Sequence, residues 1–278
     1  MPRKNDVVLS LYALANRTGF LKHTAIQSLF SKAYFLFKEH YEDSYTPLVR
    51  RHPDLFGGGH ILDVGANIGY TAVLFAKALA PGFRLAAFEP EERNFAMLKR
   101  ALKERHLEQR VVPLRVAVGE ESGFAELWLN PAHHADHRLI TPDFKGEPGR
   151  RFQSQRVVKI SLDDYCRREL PGQPIGFIKI DVQGYEERVC QGMSETLVKN
   201  PQALIGLEYY PKGISGLGFD PSRVLRFFQE RNYRVFELTR RGGIAPLKYG
   251  SIPGIVGKSG YTELLFSKSD KILSGNSH

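Results

Sequence analysis

The chain of 278 residues carries 39 lysines and arginines against 30 aspartates and glutamates, a net charge of +9, and 42% of its residues are apolar. This apolar share excludes wholesale disorder, and no apolar run reaches the roughly 18 residues that a membrane-spanning helix requires. Two cysteines, Cys166 and Cys190, exclude a disulfide framework and a cysteine-based zinc cage, and they favour a reducing, cytoplasmic location.

The positive charge is spread along the chain in isolated pairs such as Arg50-Arg51 and Arg150-Arg151. This pattern is more typical of a solvated surface than of a segment that binds nucleic acid. We therefore expect a small-molecule or glycan partner rather than a nucleic acid. Association into a homo-oligomer is left open.

Residues 1–56 are predicted to form an N-terminal helical cap. Apolar residues recur there at the spacing that gives a helix one apolar face. They are Leu29, Phe30, Ala33, Tyr34 and Phe37. A faint likeness to a cleaved export signal over residues 7–15 is interrupted by polar side chains, so export is not favoured.

Residues 57–268 are predicted to form one α/β domain in which strands alternate with helices. Strands are predicted at 61–64, 84–88, 111–118, 177–182, 204–209, 234–238 and 262–267, and helices at 66–79, 91–104, 186–198 and 221–231. Such alternation predicts a mostly parallel sheet with crossover helices on its faces. The last two strands have no predicted helix between them, so they are expected to be antiparallel neighbours.

A polar stretch at 130–155, rich in histidine, proline and glycine, separates two further predicted strands at 124–129 and 157–160. A connection of this length is uncommon in a compact domain unless it is functional or flexible, so we predict a mobile loop. Residues 269–278 are predicted to form a frayed tail.

A glycine turn joins the first predicted strand to its helix and reads Asp63-Val64-Gly65-Ala66-Asn67-Ile68-Gly69. Glycines let the backbone approach a ligand closely, and the amides at the start of the following helix are free to bind it. The spacing differs from the dinucleotide pattern GxGxxG, so the turn alone is weak evidence. The candidate ligand contacts are Gly65, Ala66, Asn67, Gly69 and the adjoining Tyr70.

Glu89 ends the second predicted strand and strengthens the case for a nucleotide-like ligand. A carboxylate there can accept hydrogen bonds from both ribose hydroxyls, and it disfavours the 2′-phosphate of NADP. NAD would bring a pyrophosphate to the turn, whereas the ammonium and carboxylate of S-adenosylmethionine suit Asp63 and Asn67. Small apolar residues at the end of the third predicted strand, Ala117 and Val118, are candidates to contact an adenine.

Several motifs together resemble the FkbM family of S-adenosylmethionine-dependent O-methyltransferases. They are, in order, the glycine turn, Phe88-Glu89-Pro90, Ser161-Leu162-Asp163-Asp164, Ile178-Lys179-Ile180-Asp181-Val182-Gln183-Gly184-Tyr185-Glu186 and Leu207-Glu208. The resemblance implies a class I, Rossmann-like methyltransferase fold with a mostly parallel seven-stranded sheet and an antiparallel last strand. It also implies S-adenosylmethionine as cofactor and methyl transfer to a hydroxyl of a sugar, a glycan or a polyketide-like natural product.

Acidic residues converge on the carboxyl edge of the predicted sheet, where open α/β folds bind their ligands. Asp181 is predicted to lie nearest the sulfonium and the acceptor, and so to serve both cofactor binding and catalysis. The alternative for Asp181 is a helix N-cap. Glu208 and Tyr209 are predicted to line the acceptor pocket. Lys179 is expected either to face away from Asp181 or to lie beside a carboxylate, and it is left out of the predicted site.

The segment His133-His134-Ala135-Asp136-His137-Arg138 holds three of the nine histidines. A base near the reacting oxygen should have a pKa near the working pH, which suits histidine. The resemblance extends to Asp136-His137-Arg138. We therefore predict His137 as the base, Asp136 as the residue that orients it and Arg138 as an acceptor contact. The alternative is a solvated surface loop.

A metal ion is not part of the favoured mechanism. The histidine spacing suits a transition metal poorly, since the segment is a predicted loop with no cysteine nearby. Mg²⁺ held by Asp181, Glu208 and Asp136 is left open without being favoured.

Two other functions stay open on the sequence. A nucleic-acid methyltransferase would use the positive charge and would bind with a steep salt dependence. A non-catalytic nucleotide-binding module would bind S-adenosylmethionine without turnover.

Overall fold

The computed structural model describes residues 35, 43–130, 135–144, 152–256, 260–269 and 272. Most of the predicted helical cap (1–56), parts of the predicted mobile loop (130–155) and most of the predicted tail (269–278) lie outside the described residues, so the domain division stays a prediction. Within the described part of the chain, no helix is long and apolar enough to cross a membrane.

Strands and helices alternate along most of the described chain. The strands are β1 (His60–Val64), β2 (Leu85–Phe88), β3 (Val111–Leu114), β4 (Ala117–Val118), β5 (Gly123–Trp128), β6 (Arg138–Leu139), β7 (Ser154–Ile160), β8 (Ile175–Ile180), β9 (Leu204–Tyr209), β10 (Arg234–Leu238), β11 (Ile244–Leu247) and β12 (Thr262–Ser267). The α-helices are α1 (Tyr45–Arg51), α2 (Tyr70–Ala78), α3 (Glu92–Lys103), α4 (Leu162–Glu169), α5 (Glu186–Gln191), α6 (Ser194–Lys199), α7 (Pro211–Gly216), α8 (Pro221–Gln229) and α9 (Ile252–Val256).

The large sheet has the strand order β11-β10-β12-β9-β8-β1-β2-β3. Neighbours from β9 through β8, β1 and β2 to β3 are parallel, and the last strand, β12, runs antiparallel to both β9 and β10. The predicted mostly parallel α/β sheet with an antiparallel last strand is confirmed.

The strand count is eight rather than the predicted seven. The additional strand, β11, follows β10 through a tight turn and pairs with it at the edge of the sheet. Sequence patterning missed it because it is short and contains Pro246, a residue that interrupts most strands but is tolerated at an edge.

Two other predicted elements are divided in the structure. The strand predicted at 111–118 breaks after β3, and its second part, β4, belongs to a separate sheet. The helix predicted at 186–198 is two helices, α5 and α6. The second begins anew because the carboxylate of Asp163 accepts hydrogen bonds from the N–H groups of Glu195 (3.1 Å) and Thr196 (2.7 Å) at its start.

A small sheet with the order β4-β7-β5-β6 stands beside the carboxyl edge of the large one. Its strands β5, β6 and β7 pair antiparallel, and β4 pairs parallel with β7. This sheet and the segment before β6 supply one wall of the cleft described below, through Ala117, Leu127 and Leu139.

The large sheet separates two apolar layers. Ile61 of β1 packs with Phe75 and Phe177 on one face, whereas Leu62 packs on the other. The ring of Tyr45, in α1, meets Phe75 and Phe177 edge-on with centroid distances of 5.4 and 6.3 Å. We call this side the α1 face. Polar residues an even number of positions from Ile61 in β1, or from Phe177 in β8, also project from this face.

Each edge strand of the large sheet carries a proline. Pro113 in β3 lies opposite Ala87, and Pro246 in β11 lies opposite Phe236. The carbonyls of Arg110 and Leu114 accept hydrogen bonds from the N–H groups of Leu85 and Glu89, so by alternation the nitrogen of Pro113 faces away from β2.

Candidate functional site

A cleft of about 390 Å³ opens beyond the carboxyl ends of the parallel strands. Its walls come from the turn after β1, the ends of β2, β8, β9 and β12, the start of α1 and the small sheet. Ligands of open α/β sheets bind at this edge. Two parts of it differ in construction. The glycine-turn side comprises Gly65, Ala66, Asn67 and Glu89, and the carboxylate side comprises Asp181, Glu208 and Glu263.

The glycine turn adopts a backbone that glycine accommodates best. Gly65 has a φ of 80° and Asn67 a φ of 50°. A Cβ atom at Gly65 would lie 1.8 Å from the carbonyl oxygen of Asp181, so only glycine lets the turn approach the end of β8. The N–H groups of Gly65 and Ala66 donate to the carbonyl of Phe88 at 3.1 and 3.0 Å, which ties the turn to β2.

Glu89 is held at the end of β2 by backbone donors. Its Oε2 accepts a hydrogen bond from the N–H of Asn67 and its Oε1 one from the N–H of Glu91, both at 2.9 Å. Burial raises the pKa of Glu89 to about 7 despite these donors. A carboxylate has roughly four acceptor positions, so this group can still receive hydroxyl donors from a ligand.

The side-chain amide of Asn67 contains an orphaned acceptor. Its Oδ1 is buried and has no hydrogen-bond partner among the described residues. A buried acceptor without a donor costs on the order of 1–3 kcal/mol, and a ligand that donates to it removes that cost. This atom lies on a residue that lines the cleft.

Asp63 lies beneath the cleft, fully buried on the α1 face. Its Oδ2 accepts a hydrogen bond from the hydroxyl of Thr71 at 2.7 Å, and its Oδ1 lies 3.5 Å from Nζ of Lys179. Burial raises the pKa of Asp63, against the lowering effect of the nearby ammonium. The aspartate thus supports the floor of the site from below.

Lys179 joins the two sides of the cleft. Its Nζ donates to the carbonyl of Gly65 at 2.9 Å and lies 3.4 Å from Oδ2 of Asp181. Burial alone would lower the pKa of Lys179, but the carboxylates of Asp181, Asp63, Glu263 and Glu208 raise it. Of the two sequence expectations, the position beside a carboxylate is therefore confirmed. Residues two apart along a strand share a face, so the sequence itself could have shown that Lys179 lies on the same side as Asp181.

The carboxylates of the carboxylate side are linked by neighbouring polar groups. The amide Nε2 of Gln183 donates to Oδ1 of Asp181 at 2.8 Å and to Oε2 of Glu208 at 3.1 Å. Glu208 in β9 lies directly opposite Glu263 in β12, so their side chains share a face. The hydroxyl of Tyr45 donates to Oε2 of Glu263 at 3.1 Å.

His137 lines the cleft from the segment before β6. Its Nδ1 accepts a hydrogen bond from the backbone N–H of Asn130 at 3.0 Å, so in the neutral ring the proton is on Nε2. Burial lowers the pKa of His137, which favours this neutral ring. The oxygens of Asp136 accept instead from Nε of Arg138 (2.7 Å) and Nδ2 of Asn130 (3.0 Å). The hydrogen bond to His137 therefore comes from Asn130 rather than from Asp136.

Most of the predicted site residues meet in this one cleft. Those that line it are Gly65, Ala66, Asn67, Tyr70, Glu89, Ala117, Val118, His137, Asp181 and Glu208. Five others do not line it: Asp63, Gly69, Asp136, Arg138 and Tyr209. Gly69 instead packs against α3, where a Cβ would lie 2.7 Å from Leu98, and Tyr209 is buried on the sheet face opposite to that of Glu208.

Sequence reasoning missed Tyr45, Gln183 and Glu263, which also line the cleft. Tyr45 falls in the region interpreted only as a cap. Glu263 could be found only from the strand register that places it beside Glu208. No local motif marks Glu263 as a residue of the cleft, so only the folded structure shows that it lies there.

No group of three metal-ligating side chains is placed to hold a metal ion in the part of the chain that the structure describes. His133 and His134 lie outside the described residues.

The sequence profile of the methyltransferase FkbM domain matches residues 63–235, more than half of the chain. No curated protein matches the chain. The matched segment contains the glycine turn, Glu89, the small sheet and β8 with Asp181. It ends before β12, so Glu263 lies outside it.

Several solved structures are similar to the chain. Methyltransferase FkbM from Methylobacillus flagellatus KT is 14% identical, with 75% of this chain and 43% of that chain covered and a TM-score of 0.45. An O-methyltransferase from Bacillus cereus in complex with SAH is 14% identical, with 96% and 91% covered and a TM-score of 0.45. A putative rRNA-methylase from Clostridium thermocellum is 10% identical, with 79% and 94% covered and a TM-score of 0.47.

Proposed function

The chain belongs to the FkbM methyltransferase family, and we propose that it transfers the methyl group of S-adenosylmethionine to a hydroxyl oxygen of a sugar, a glycan or a polyketide-like natural product. The family establishes methyl transfer from S-adenosylmethionine. The choice of a hydroxyl acceptor is the proposal. The observation that carries it is the contact between the glycine-turn side and the carboxylate side through Lys179.

The residues of the glycine-turn side fit S-adenosylmethionine. The orphaned Oδ1 of Asn67 can accept from the ammonium of the ligand, and the fixed carboxylate of Glu89 can accept from its ribose hydroxyls. Ala117 and Val118 offer small apolar side chains to an adenine. In this assignment Gly69 acts indirectly, since its close packing on α3 sets the shape of the turn.

S-adenosylmethionine, when bound, supplies a methyl group activated on a sulfonium. The carboxylate side of the cleft complements that positive charge, because its three carboxylates act together on the ammonium of Lys179 and outnumber it. Asp181 is the carboxylate next to the glycine turn, so we assign it to the cofactor and the reacting centre. The fold contributes further by holding donor and acceptor in fixed positions.

The same carboxylates support a hydroxyl acceptor. A hydroxyl must lose its proton when its oxygen is methylated, and carboxylates can receive that proton. They also repel the phosphates of a nucleic acid. Arg138 is tied to Asp136 near this wall and Tyr209 is buried behind it, so in the proposal both shape the acceptor pocket without lining it.

His137 is retained in the site with a modified role. Its lone pair on Nδ1 is occupied by the N–H of Asn130, so the ring presents an Nε2–H donor to the cleft. We propose that this donor orients a ligand. Cys166 and Cys190 are both free thiols, which fits the predicted cytoplasmic location.

The test incubates the protein with S-adenosylmethionine labelled on its methyl group and a fractionated extract of its source cells. Base-stable label in glycosylated or polyketide-like small molecules is the expected result. Label in nuclease-sensitive material would replace the proposal with nucleic-acid methylation. Binding of S-adenosylmethionine without label in any fraction would instead support a non-catalytic module. A parallel assay with EDTA decides whether Mg²⁺ is needed, since activity without free divalent cations contradicts a magnesium mechanism.

A further inference from the structure

Methyl transfer to a hydroxyl requires a group in the cleft that can take up the hydroxyl proton. Such a group needs an unshared lone pair directed at the acceptor. His137 does not offer one, because its Nδ1 accepts the N–H of Asn130 and its Nε2 carries the proton of the neutral ring. The structure must therefore supply the proton acceptor from elsewhere in the cleft.

Glu263 has the required placement. It lines the cleft from β12 and stands directly across from Glu208 of β9. Its Oε2 accepts the hydroxyl of Tyr45 at 3.1 Å, whereas its Oε1 has no hydrogen-bond donor among the described residues. One oxygen is thus anchored and the other remains available to a hydroxyl.

The sheet is built to let Tyr45 reach this carboxylate. Tyr45 crosses the α1 face of β9 at Gly206, where a Cβ atom would lie 2.6 Å from the tyrosine hydroxyl. Its ring is fixed at the same time by the edge-on contacts with Phe75 and Phe177. Tyr45 is therefore a preorganised donor for Glu263, and it does not depend on ligand binding.

The groups around Glu263 set the pH at which its carboxylate forms. Burial, together with the carboxylates of Asp181 (end of β8) and Asp43 (before α1), raises the pKa of Glu263 to about 7. The ammonium of Lys179 and the hydroxyl of Tyr45 act in the opposite direction. Glu208 faces it from β9. A base with a pKa near neutrality combines a usable ionised fraction with a real affinity for the proton.

We infer that Glu263 accepts the proton of the acceptor hydroxyl and that Tyr45 is the positioning residue that holds its carboxylate. This rests on the proposed function. In the step, the acceptor oxygen forms a bond to the methyl carbon while the carbon–sulfur bond breaks and leaves its electron pair on sulfur. The O–H bond breaks, and its proton goes to Oε1 of Glu263.

The first test compares label transfer by the unaltered protein and the variants Glu263→Gln, Tyr45→Phe and His137→Gln over a range of pH. Glu263→Gln keeps the size of the side chain and an acceptor for Tyr45, and should lower the rate by about 100-fold or more. Its affinity for S-adenosylhomocysteine should change by less than about threefold, because the glycine-turn side is intact. Tyr45→Phe should move the rising limb of the pH–rate profile to higher pH, since it removes a donor that favours the ionised carboxylate.

His137→Gln tests the rival base. The inference would be overturned if the rising limb of the pH–rate profile disappeared in His137→Gln but remained in Glu263→Gln. Retention of the limb in His137→Gln and its loss in Glu263→Gln would support it.

A measurement without turnover separates this inference from the proposed function. Carbon-13 NMR of labelled glutamate carboxyls should show several groups titrating near neutrality, since burial also raises the pKa of Glu89 and of Glu186 to about 7. One of these signals should be missing in Glu263→Gln and should move to higher pH in Tyr45→Phe. A Glu263 carboxyl that titrates at the ordinary glutamate pKa would overturn the inference. Absence of label transfer by the unaltered protein would instead contradict the proposed function, whatever the titration gives.

Discussion

The two sides of the cleft are built by different means. The glycine-turn side comes from the ends of two neighbouring strands, β1 and β2, and its shape is set by backbone. A glycine meets the end of β8, and two N–H groups fix the carboxylate of Glu89. The carboxylate side is assembled from side chains of α1, β8, β9 and β12. Its Tyr45–Glu263 hydrogen bond joins residues 218 positions apart.

This difference separates two demands on the site. The methyl donor is proposed to lie against the glycine turn, where the contact of Gly65 with the end of β8 leaves no room for a side chain. The acceptor is proposed to lie against side chains from several elements, which can be substituted one at a time. The comparison predicts that changes on the glycine-turn side affect folding and donor binding together, whereas changes on the carboxylate side affect turnover.

The largest effect is expected for Gly65→Ala. The new Cβ would lie 1.8 Å from the carbonyl oxygen of Asp181, so the turn and the end of β8 must separate. Overpacking and the positive φ together should lower the free energy of unfolding by about 3–5 kcal/mol. Thermal unfolding and binding of S-adenosylhomocysteine measure the two consequences.

Gly82→Ala is the matched control, because Gly82 has a φ of 87° and nothing within 4 Å of the new Cβ. It should lose only about 1 kcal/mol for the backbone strain. Equal losses in the two variants would show that contact with β8 does not hold the turn.

The next largest effect is expected for Lys179→Met, which removes the ammonium from between Asp63 and Asp181. Leaving a buried carboxylate unpaired should cost about 3 kcal/mol at pH 8. Burial already raises the pKa of Asp63, so this carboxyl takes up a proton as the pH falls to about 5. The neutral carboxyl no longer needs a partner, and the loss in free energy of unfolding should shrink. Chemical denaturation at both pH values measures this.

Lys159→Met provides the comparison outside the cleft. Lys159 is also buried and pairs with Glu120 at 2.8 Å. Burial alone would raise the pKa of Glu120, but the hydrogen bond from Lys159 lowers it. The carboxylate of Glu120 therefore stays ionised between pH 5 and 8. The loss in free energy of unfolding in Lys159→Met should be smaller than that in Lys179→Met, and equal at pH 5 and pH 8. A pH-independent deficit in Lys179→Met would contradict the role assigned to that lysine.

The smallest effect concerns donor affinity in Glu89→Gln. Ribose hydroxyls bind the ionised carboxylate, and the pKa of Glu89 is raised to about 7. Binding of S-adenosylhomocysteine to the unaltered protein should therefore weaken as the pH falls from 8 to 6. In the variant the affinity at pH 8 should be about tenfold lower, or about 1.4 kcal/mol, and nearly independent of pH. Isothermal titration calorimetry follows both changes.

Glu91→Gln is a like-for-like change two residues away. Glu91 caps α3 by accepting the N–H of Asn94 at 2.7 Å and does not line the cleft. This variant should keep the affinity at pH 8. The charge of Glu91 helps to raise the pKa of Glu89, so its removal should move the loss of affinity to lower pH without abolishing it. If Glu89→Gln binds as the unaltered protein does at pH 8, the ribose assignment is wrong.

The sequence predicted best what local patterns encode. The strands β9, β10 and β12 have the predicted bounds, because each is an apolar run between polar or turn-forming residues. The glycine turn and Glu89 were found for a similar reason, since each directly follows a predicted strand, and the carboxyl ends of parallel strands are where such sites occur.

Long-range placement was beyond sequence patterning. Glu263 sits in a strand that looks like any other, and only its register with Glu208 brings it into the cleft. The hydrogen bond from Asn130 that changes the interpretation of His137 comes from the backbone, which no residue type reveals. Lys179 differs from these, because strand alternation alone places it with Asp181.

The prolines at the two edges of the large sheet bear on how copies of this protein meet. The nitrogen of Pro113 faces outward from β3 and carries no hydrogen. Just before β11, the N–H of Thr239 donates to the carbonyl of Gly243, so by alternation the nitrogen of Pro246 also faces outward. An open edge is a template for another strand, and a missing donor interrupts it. Self-association by continuing this sheet from one molecule into the next, whether as an ordered dimer or as an aggregate, is therefore disfavoured at both ends.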